Sequence, residues 1–336
     1  MSDLYKRASD KLIENLYLLK GQWFYRSDAS EICGVNGSPS HADYRKAVGQ
    51  VLYNWSHKEP FKLEQKDKRY WVIENEFKII KPSMVQNKSY DLRWPDGGDS
   101  SFFSFTESAV ISEGDCLSIA GEGNIGKTVM AIGLAVANCD IHPVTLVVSE
   151  NVNKLDSRIQ RIDWASPYTE DGDWKFEVIE EKDEQKYLDI VRARKDNLVI
   201  IDWLDASKDA YLVGQFYKAM SERLGSGVGV AIQQKRSYKD TAQGGEAYKD
   251  YCSVALLISK LSQNEGRLMV DKVKDFSQFN PNGYEYSFEV TPGGGSMEKI
   301  HEIKKCRPCR GSGRIKLGVD CPTCWGKGYV TVYDGE

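Results

Sequence analysis

The eight residues Gly121-Glu122-Gly123-Asn124-Ile125-Gly126-Lys127-Thr128 constrain this chain more than any other stretch. They satisfy the pattern G-x-x-x-x-G-K-[ST]. They stand between an apolar, strand-like run (Cys116 to Ala120) and a helix-like one (Val129 to Asn138). That context gives the string its chemistry. Glycines permit a loop whose backbone N–H groups face inward around a phosphate. The N-terminus of the following helix adds its positive dipole end, worth roughly 0.3–1 kcal/mol at a surface and up to ~2 when partly buried. Lys127 then reaches the β- and γ-phosphates, and the Thr128 hydroxyl holds Mg²⁺. The expectation is a nucleoside-triphosphate site made by Gly121, Glu122, Gly123, Asn124, Ile125, Gly126, Lys127, Thr128 and Val129, with ATP and Mg²⁺ as cofactors.

A length of 336 residues suggests about two domains with small additions. With 41% hydrophobic and 28% charged residues, the composition is that of a globular chain. The net charge of −4 does not exclude a nucleic-acid partner, because the charge is segregated. Basic residues outnumber acidic ones by 13 to 11 over residues 1–80 and by 8 to 5 over residues 298–336, so the middle carries the acidic excess. The polar, charged start (Met1 to Lys11) is no signal peptide. No apolar run approaches the ~20 residues that span a bilayer, so no membrane partner is expected. Four of the eight cysteines form two C-x-x-C pairs, which without a secretory signal read as a metal site. The expected location is cytoplasmic.

Residues 1–77 read as a winged-helix unit. A helix with Leu12, Ile13, Leu16, Leu18 and Leu19 ends at Gly21, and a short aromatic segment leads to a second helix, Ser27 to Cys33. A third opens at Ser40 and carries Tyr44, Val48, Val51, Leu52 and Trp55 at helical spacing. Two strand-like runs follow, Phe61 to Glu64 and Tyr70 to Ile73, joined by Gln65-Lys66-Asp67-Lys68-Arg69. In this order Arg45, Lys46, Lys66, Lys68 and Arg69 are candidates for contacts to the phosphates of duplex DNA. A protein-interaction domain of the same shape is the alternative. Residues 78–108 are turn-rich and read as a linker. From 109 to 297 strand and helix alternate, with strands expected at Asp115–Ala120, Val144–Val148, Phe176–Ile179, Leu198–Ile201, Val228–Ile232, Val254–Ser259, Leu268–Val273 and Tyr284–Val290. Helices separate the first five, which predicts an α/β fold: a mostly parallel sheet with helices on both faces and an antiparallel extension.

Three further features suit hydrolysis. Leu198-Val199-Ile200-Ile201-Asp202 is an apolar strand ending in a carboxylate, which places Asp202 beside Thr128 on Mg²⁺, with Asp205 as a competitor. Val144 to Val148 is closed by Ser149-Glu150, and Glu150 is the candidate catalytic base. Val230 to Ile232 ends in Gln233-Gln234-Lys235-Arg236, where either glutamine is chemically able to sense a γ-phosphate.

The segment Thr241-Ala242-Gln243-Gly244-Gly245-Glu246-Ala247-Tyr248, with the glutamine upstream and a strand from Val254, resembles RecA-family recombinases after their second DNA-binding loop. That resemblance covers roughly residues 105–290 and gives Gln234 the sensing position. It implies that Ser237 to Gln243 faces single-stranded DNA, with Arg236, Tyr238 and Lys239 as contacts through phosphate pairing and base stacking. Val270-Asp271-Lys272-Val273-Lys274 resembles the paired lysines that RecA proteins send into a neighbour's ATP site. It implies a homo-oligomer with ATP at subunit interfaces and catalytic roles for Lys272 and Lys274. DnaB-type hexameric helicases share this core but usually carry arginine there, so Lys274 departs from their pattern.

Residues 298–336 form the last expected unit. Cys306-Arg307-Pro308-Cys309-Arg310-Gly311-Ser312-Gly313 and Cys321-Pro322-Thr323-Cys324-Trp325-Gly326-Lys327-Gly328 both fit C-x-x-C-x-G-x-G. Cys306, Cys309, Cys321 and Cys324 are the expected ligands of one closed, structural Zn²⁺ site. The repeats resemble the cysteine-rich module of DnaJ-type chaperones, with two units in place of four. Arg307, Arg310, Arg314, Lys316 and Lys327 suit a nucleic-acid knuckle, with protein docking as the alternative. The whole reads as an ATP-dependent, RecA-like ATPase acting on single-stranded DNA in recombination or replication. A DnaB-type helicase and an ATP-switched DNA-binding regulator or loader are the alternatives.

Overall fold

A computed structural model of the chain describes residues 3–19, 22–35, 41–58, 63–72, 88–95, 99, 101–204, 213–235, 247–262, 264–316 and 318–332. It divides into two units, Met1–Gln86 and Asn87–Glu336.

In the first unit, α1 (Asp3–Asn15) buries Ala8 and Leu12. A two-residue strand β1 (Phe24–Tyr25) leads into α2 (Arg26–Ile32), where the Asp28 carboxylate accepts from the Tyr25 backbone N–H at 2.7 Å. The longer α3 (Ala42–His57) buries Val48, Val51, Leu52 and Trp55, the i, i+3, i+4, i+7 stripe its sequence predicts. Then β2 (Leu63–Lys66) and β3 (Arg69–Val72) form a hairpin, tighter than the five-residue connection expected. Its turn residues Asp67 and Lys68 have φ of 50° and 64°, the left-handed pair a two-residue turn requires. The sheet order is β1-β3-β2, antiparallel throughout.

The second unit is built on a ten-stranded sheet. Its strands begin with β4 (Cys116–Gly121), followed by α4 (Lys127–Asn138), β5 (Val144–Val148), α5 (Val152–Ile159) and β6 (Glu177–Glu180). Next come α6 (Tyr187–Ala193), β7 (Leu198–Leu204), α7 (Val213–Ser221), β8 (Val228–Gln234) and β9 (Val254–Lys260). The chain continues through β10 (Glu265–Val273), β11 (Glu285–Val290) and β12 (Met297–Lys305). A small ribbon, β13 (Arg314–Lys316) with β14 (Val319–Asp320), precedes β15 (Tyr329–Thr331). The order is β15-β12-β11-β10-β9-β4-β8-β7-β5-β6. From β9 to β6 every pairing is parallel, and from β9 outward through β15 every pairing is antiparallel. This is the mixed α/β sheet expected, with β4 internal so that the loops at the strands' C-terminal ends converge on one crevice.

Strand alternation divides the core. Leu117, Ile119, Leu146 and Ile200 pack with Met130, Leu134, Leu155 and Ile159 of α4 and α5. Cys116, Ala120, Val199 and Ile201 pack with Tyr187, Val191, Tyr217 and Met220 of α6 and α7 on the other face.

Helix α4 is apolar nearly all round, which demands a cover on its outer side as well. The segment read as a linker supplies it. Tyr90, Phe103 and Phe105 join the core, and Arg93 exchanges two hydrogen bonds with the Asn138 side chain at 2.9 and 2.7 Å. A Cβ on Gly133 would meet Pro95 at 2.8 Å, so glycine is what lets the segment lie against the helix. The sequence pattern also stops one strand short. β12 pairs with β11 and β15, so Met297 to Lys305 belong to the sheet rather than to a separate tail.

Candidate functional site

The phosphate loop leaves β4 at Gly121 and enters α4 at Lys127, with Asn124 and Gly126 in left-handed conformations (φ 56° and 94°). A Cβ on Gly126 would meet Val290 Cγ2 at 2.9 Å and Met297 Cε at 3.0 Å, so the loop is backed by β11 and β12. Within it the Lys127 ammonium donates to the Glu122 carbonyl oxygen at 2.5 Å and approaches Gln234 Oε1 at 3.4 Å. Burial pulls the Lys127 pKa down, while the charges of Asp202 and Glu122 work against that shift. The Glu122 carboxylate pairs with the buried Lys235 ammonium at 3.4 Å, which ties the loop's entry to the end of β8.

Four adjacent strands, β4, β8, β7 and β5, deliver the remaining groups at their C-terminal ends. Asp202 is buried within β7, at a cis peptide to Trp203, and its carboxylate accepts from the Thr128 hydroxyl. Burial raises its pKa from 3.8 to about 6; the Thr128 hydrogen bond opposes that, and the Glu150 charge adds to it. Glu150 follows β5 and forms an ion pair with Arg158 of α5. Together Gly123 to Val129, Ser149, Glu150, Arg158, Asp202, Trp203 and Gln234 line a cavity of about 310 Å³. A deep, amide-lined pocket with one buried carboxylate beside a hydroxyl suits a metal-bound triphosphate.

The two glutamines separate by strand alternation. Gln234 faces the cavity. Gln233 is fully buried on the opposite face, where its amide donates to Ser118 Oγ at 2.7 Å and Tyr217 OH at 3.0 Å. Arg158, Ser149, Trp203 and Lys235 were not singled out from the sequence. The signal for Arg158 was available: Lys154 and Arg158 stand at i, i+4 on α5, and Arg161 follows just beyond its end.

Lys272 and Lys274 are not brought to this cavity. Their end of β10 pairs with the start of β9 (Lys272↔Ala255, Val273↔Val254), whereas the phosphate loop lies level with Ile258 at the other end of β9. Lys272 donates to the Lys249 carbonyl, Lys249 pairs with Asp271 at 2.7 Å, and the Lys274 side chain is exposed. Asp205, Arg236, Tyr238, Lys239 and the Gly244-Gly245 pair lie outside the described residues. In the N-terminal unit Lys66 and Lys68 are exposed at the hairpin, and Arg69 lies 5.7 Å over the Trp23 ring. Lys46 pairs with Asp43 at 3.3 Å, and the Arg45 carbonyl accepts from Arg26 at 2.6 Å. Among the described residues no helix is long and apolar enough to cross a membrane.

The four cysteines of the C-terminal pairs converge, all sulfurs lying within 4.8 Å of one another. Cys306 and Cys321 are 3.7 Å apart, as are Cys309 and Cys324. Four thiolates about 2.3 Å from a tetrahedral zinc stand ~3.8 Å from each other, whereas a disulfide brings two sulfurs to ~2.05 Å. The spacing therefore fits a closed four-thiolate metal site. The Gly328 N–H donates to Cys324 Sγ at 3.1 Å, the type of hydrogen bond that steadies a metal-bound thiolate.

No family model matches the chain, and no curated protein matches it. Among solved structures the chain is similar to the crystal structure of the RadB recombinase. The alignment covers 56% of this chain and 91% of that one, with 16% sequence identity and a TM-score of 0.43.

Proposed function

We propose that the protein is a RecA-like ATPase that acts on single-stranded DNA in recombination or replication. One observation carries this reading: Lys127, Thr128 with Asp202, Glu150 and Gln234 meet around a single cavity at the ends of four neighbouring strands. Mg·ATP supplies the transferable phosphoryl group and the cation that spreads its charge. The backbone amides of the phosphate loop hold the phosphates, and Lys127 turns from the Glu122 carbonyl toward them. The Asp202 carboxylate and the Thr128 hydroxyl would together hold the metal. Glu150 orients the attacking water and accepts its proton at a carboxylate oxygen. Gln234, at the root of the 236–246 segment, passes the state of the site to the residues proposed to hold DNA, Arg236, Tyr238 and Lys239.

Lys272 and Lys274, at the end of the strands away from the cavity, would act in a neighbouring subunit's site, which makes the working form a homo-oligomer. The first unit has the element order and antiparallel sheet of a winged helix and is proposed to contact duplex DNA through Arg45, Lys46, Lys66, Lys68 and Arg69. The test is hydrolysis of ATP with and without single-stranded DNA, in the wild type and in Lys127→Ala. The reading requires turnover that rises with the strand and disappears in the variant. Turnover surviving in Lys127→Ala removes the site assignment. Turnover indifferent to DNA favours an ATP-switched regulator, and unwinding of a forked duplex by rings favours a helicase.

A further inference from the structure

The two cysteine knuckles are equivalent to one another at a shift of fifteen residues. Cys306 corresponds to Cys321, Cys309 to Cys324, Gly311 to Gly326 and Gly313 to Gly328. The backbone repeats as well: the Gly311 N–H donates to the Cys306 carbonyl and the Gly326 N–H to the Cys321 carbonyl, both at 3.3 Å. The glycines need their positive φ, and a Cβ on Gly313 would meet the Gly326 carbonyl oxygen at 2.2 Å.

One pair in this repeat breaks the rule of small residues. Arg310 and Trp325 occupy the same place, directly after the second cysteine of each knuckle, with φ of 51° and 52°. Left-handed backbone disfavours any side chain with a Cβ, by roughly 1–2 kcal/mol, and glycine or asparagine is the usual occupant. Neither residue recovers that cost by packing: Arg310 is exposed and the Trp325 side chain is 83% exposed. The repeat thus holds a guanidinium and an indole outward at matched positions. A strained, outward-facing residue that stabilises nothing in the fold points to a surface contact.

The charge around the pair identifies the partner. Residues 306–332 contain Arg307, Arg310, Arg314, Lys316 and Lys327 against a single acid, Asp320. Four thiolates on a divalent cation contribute −2, so the metal-loaded module remains net positive in a chain that is net acidic. Asp320 lies 3.9 Å from Arg314, which offsets the module's one acid, and the Lys327 ammonium lies 5.7 Å over the Tyr329 ring, two residues from Trp325 in sequence. A planar ring for base stacking beside cations for phosphates is the chemistry of single-strand recognition. A duplex hides the faces of its bases from such a ring.

We propose that the cysteine module is a second single-stranded nucleic-acid site, with Trp325 stacking on a base and Arg310 and Lys327 on its flanking phosphates. This deepens the reading of the protein as one that acts on single strands, and it rests on that reading. The two are nevertheless tested apart: the change in binding when Trp325 is replaced reads the module, and hydrolysis reads the ATP site.

The experiment uses the full-length, zinc-loaded chain without nucleotide and follows the anisotropy of a labelled oligothymidylate. Trp325→Gly relieves the backbone, so it should keep its full zinc content while its dissociation constant rises about 5- to 100-fold, the range expected for one lost stack. Trp325→Phe should keep most of the affinity. Arg310→Gly should lower the slope of log affinity against log salt by about 0.7. Oligothymidylate affinity unchanged in both zinc-loaded glycine variants overturns the proposal. So does loss, in Trp325→Gly, of binding to a reduced, unfolded polypeptide with oligonucleotide binding intact, which would make the module a peptide-docking surface. A loss of duplex affinity in Trp325→Gly as large as its loss of single-strand affinity would also overturn it.

Discussion

Arg158 forms an ion pair with the carboxylate of Glu150, eight residues upstream, at the mouth of the phosphate cavity. The side chains are 29% and 28% exposed, so the pair is neither a solvated surface contact nor a sealed one. The contact engages one oxygen, Oε1, of the proposed base, and a carboxylate has a second oxygen with which to hold water.

Removing the proposed base and removing its partner should look different. Glu150→Gln should lower kcat for ATP hydrolysis by about 10²- to 10⁴-fold with KM changed only a few-fold. Arg158→Ala should change thermal stability by less than about 1 kcal/mol, as expected of a partly exposed pair, while altering kcat or KM for ATP. Steady-state kinetics beside thermal melts separates the two. A kcat in Glu150→Gln close to that of the wild type would move the role of base to another residue.

Asp202 predicts a pH dependence. Its folded pKa of about 6 lies above the ordinary 3.8, so between these values the folded state binds more protons than the unfolded one. Stability without ligand should then fall as pH rises from about 4 to about 6, by an amount on the order of 3 kcal/mol, and stay level above. Asp202→Asn carries no charge to bury. It should melt higher than the wild type at pH 7, with the difference closing near pH 4, and should lose the added stability that Mg·ATP gives the wild type. A variant that melts lower at pH 7 would mean that ionised Asp202 is compensated by its neighbours.

The adjacent glutamines should divide stability from activity. Gln234→Ala touches the cavity and should cost roughly tenfold or more in hydrolysis with little change in melting temperature. Gln233→Ala removes the partner of the buried Ser118 and Tyr217 hydroxyls and leaves a void, which should destabilise the chain by about 2–4 kcal/mol. Swapped phenotypes would show that the wrong glutamine faces the nucleotide.

Much of the site was legible because strand ends mark it. Apolar runs closing on Glu150, Asp202 and Gln233-Gln234 can be read in one dimension, since parallel strands buried on both faces are continuous apolar runs that stop where polar residues begin. What escaped was set by alternation and by partners distant in sequence. Adjacent glutamines are chemically identical and differ only in the face each presents. The cover over α4 looked like a linker because its turns are obvious, whereas its Arg93 and Pro95 acquire meaning only against Asn138 and Gly133, and its Phe103 and Phe105 only against Tyr286 of β11. β12 was hidden because Lys299, at φ 53°, sits where the pairing with β11 shifts register, which spoils the two-residue rhythm of Met297, Ile300 and Ile303.

That strand ties two sites together. β12 starts at Met297, whose Cε lies where Gly126 has no Cβ, and its last residue is the one before Cys306. Nine residues of extended chain make a strut about 30 Å long. Paired with β11 along one edge and with β15 at its far end, it has little freedom to buckle. The cysteine cluster and the phosphate loop are thus joined by one continuous strand, irregular only at Lys299. The cysteine hairpin is therefore less an exchangeable cassette than the far end of a strand whose near end backs the phosphate loop.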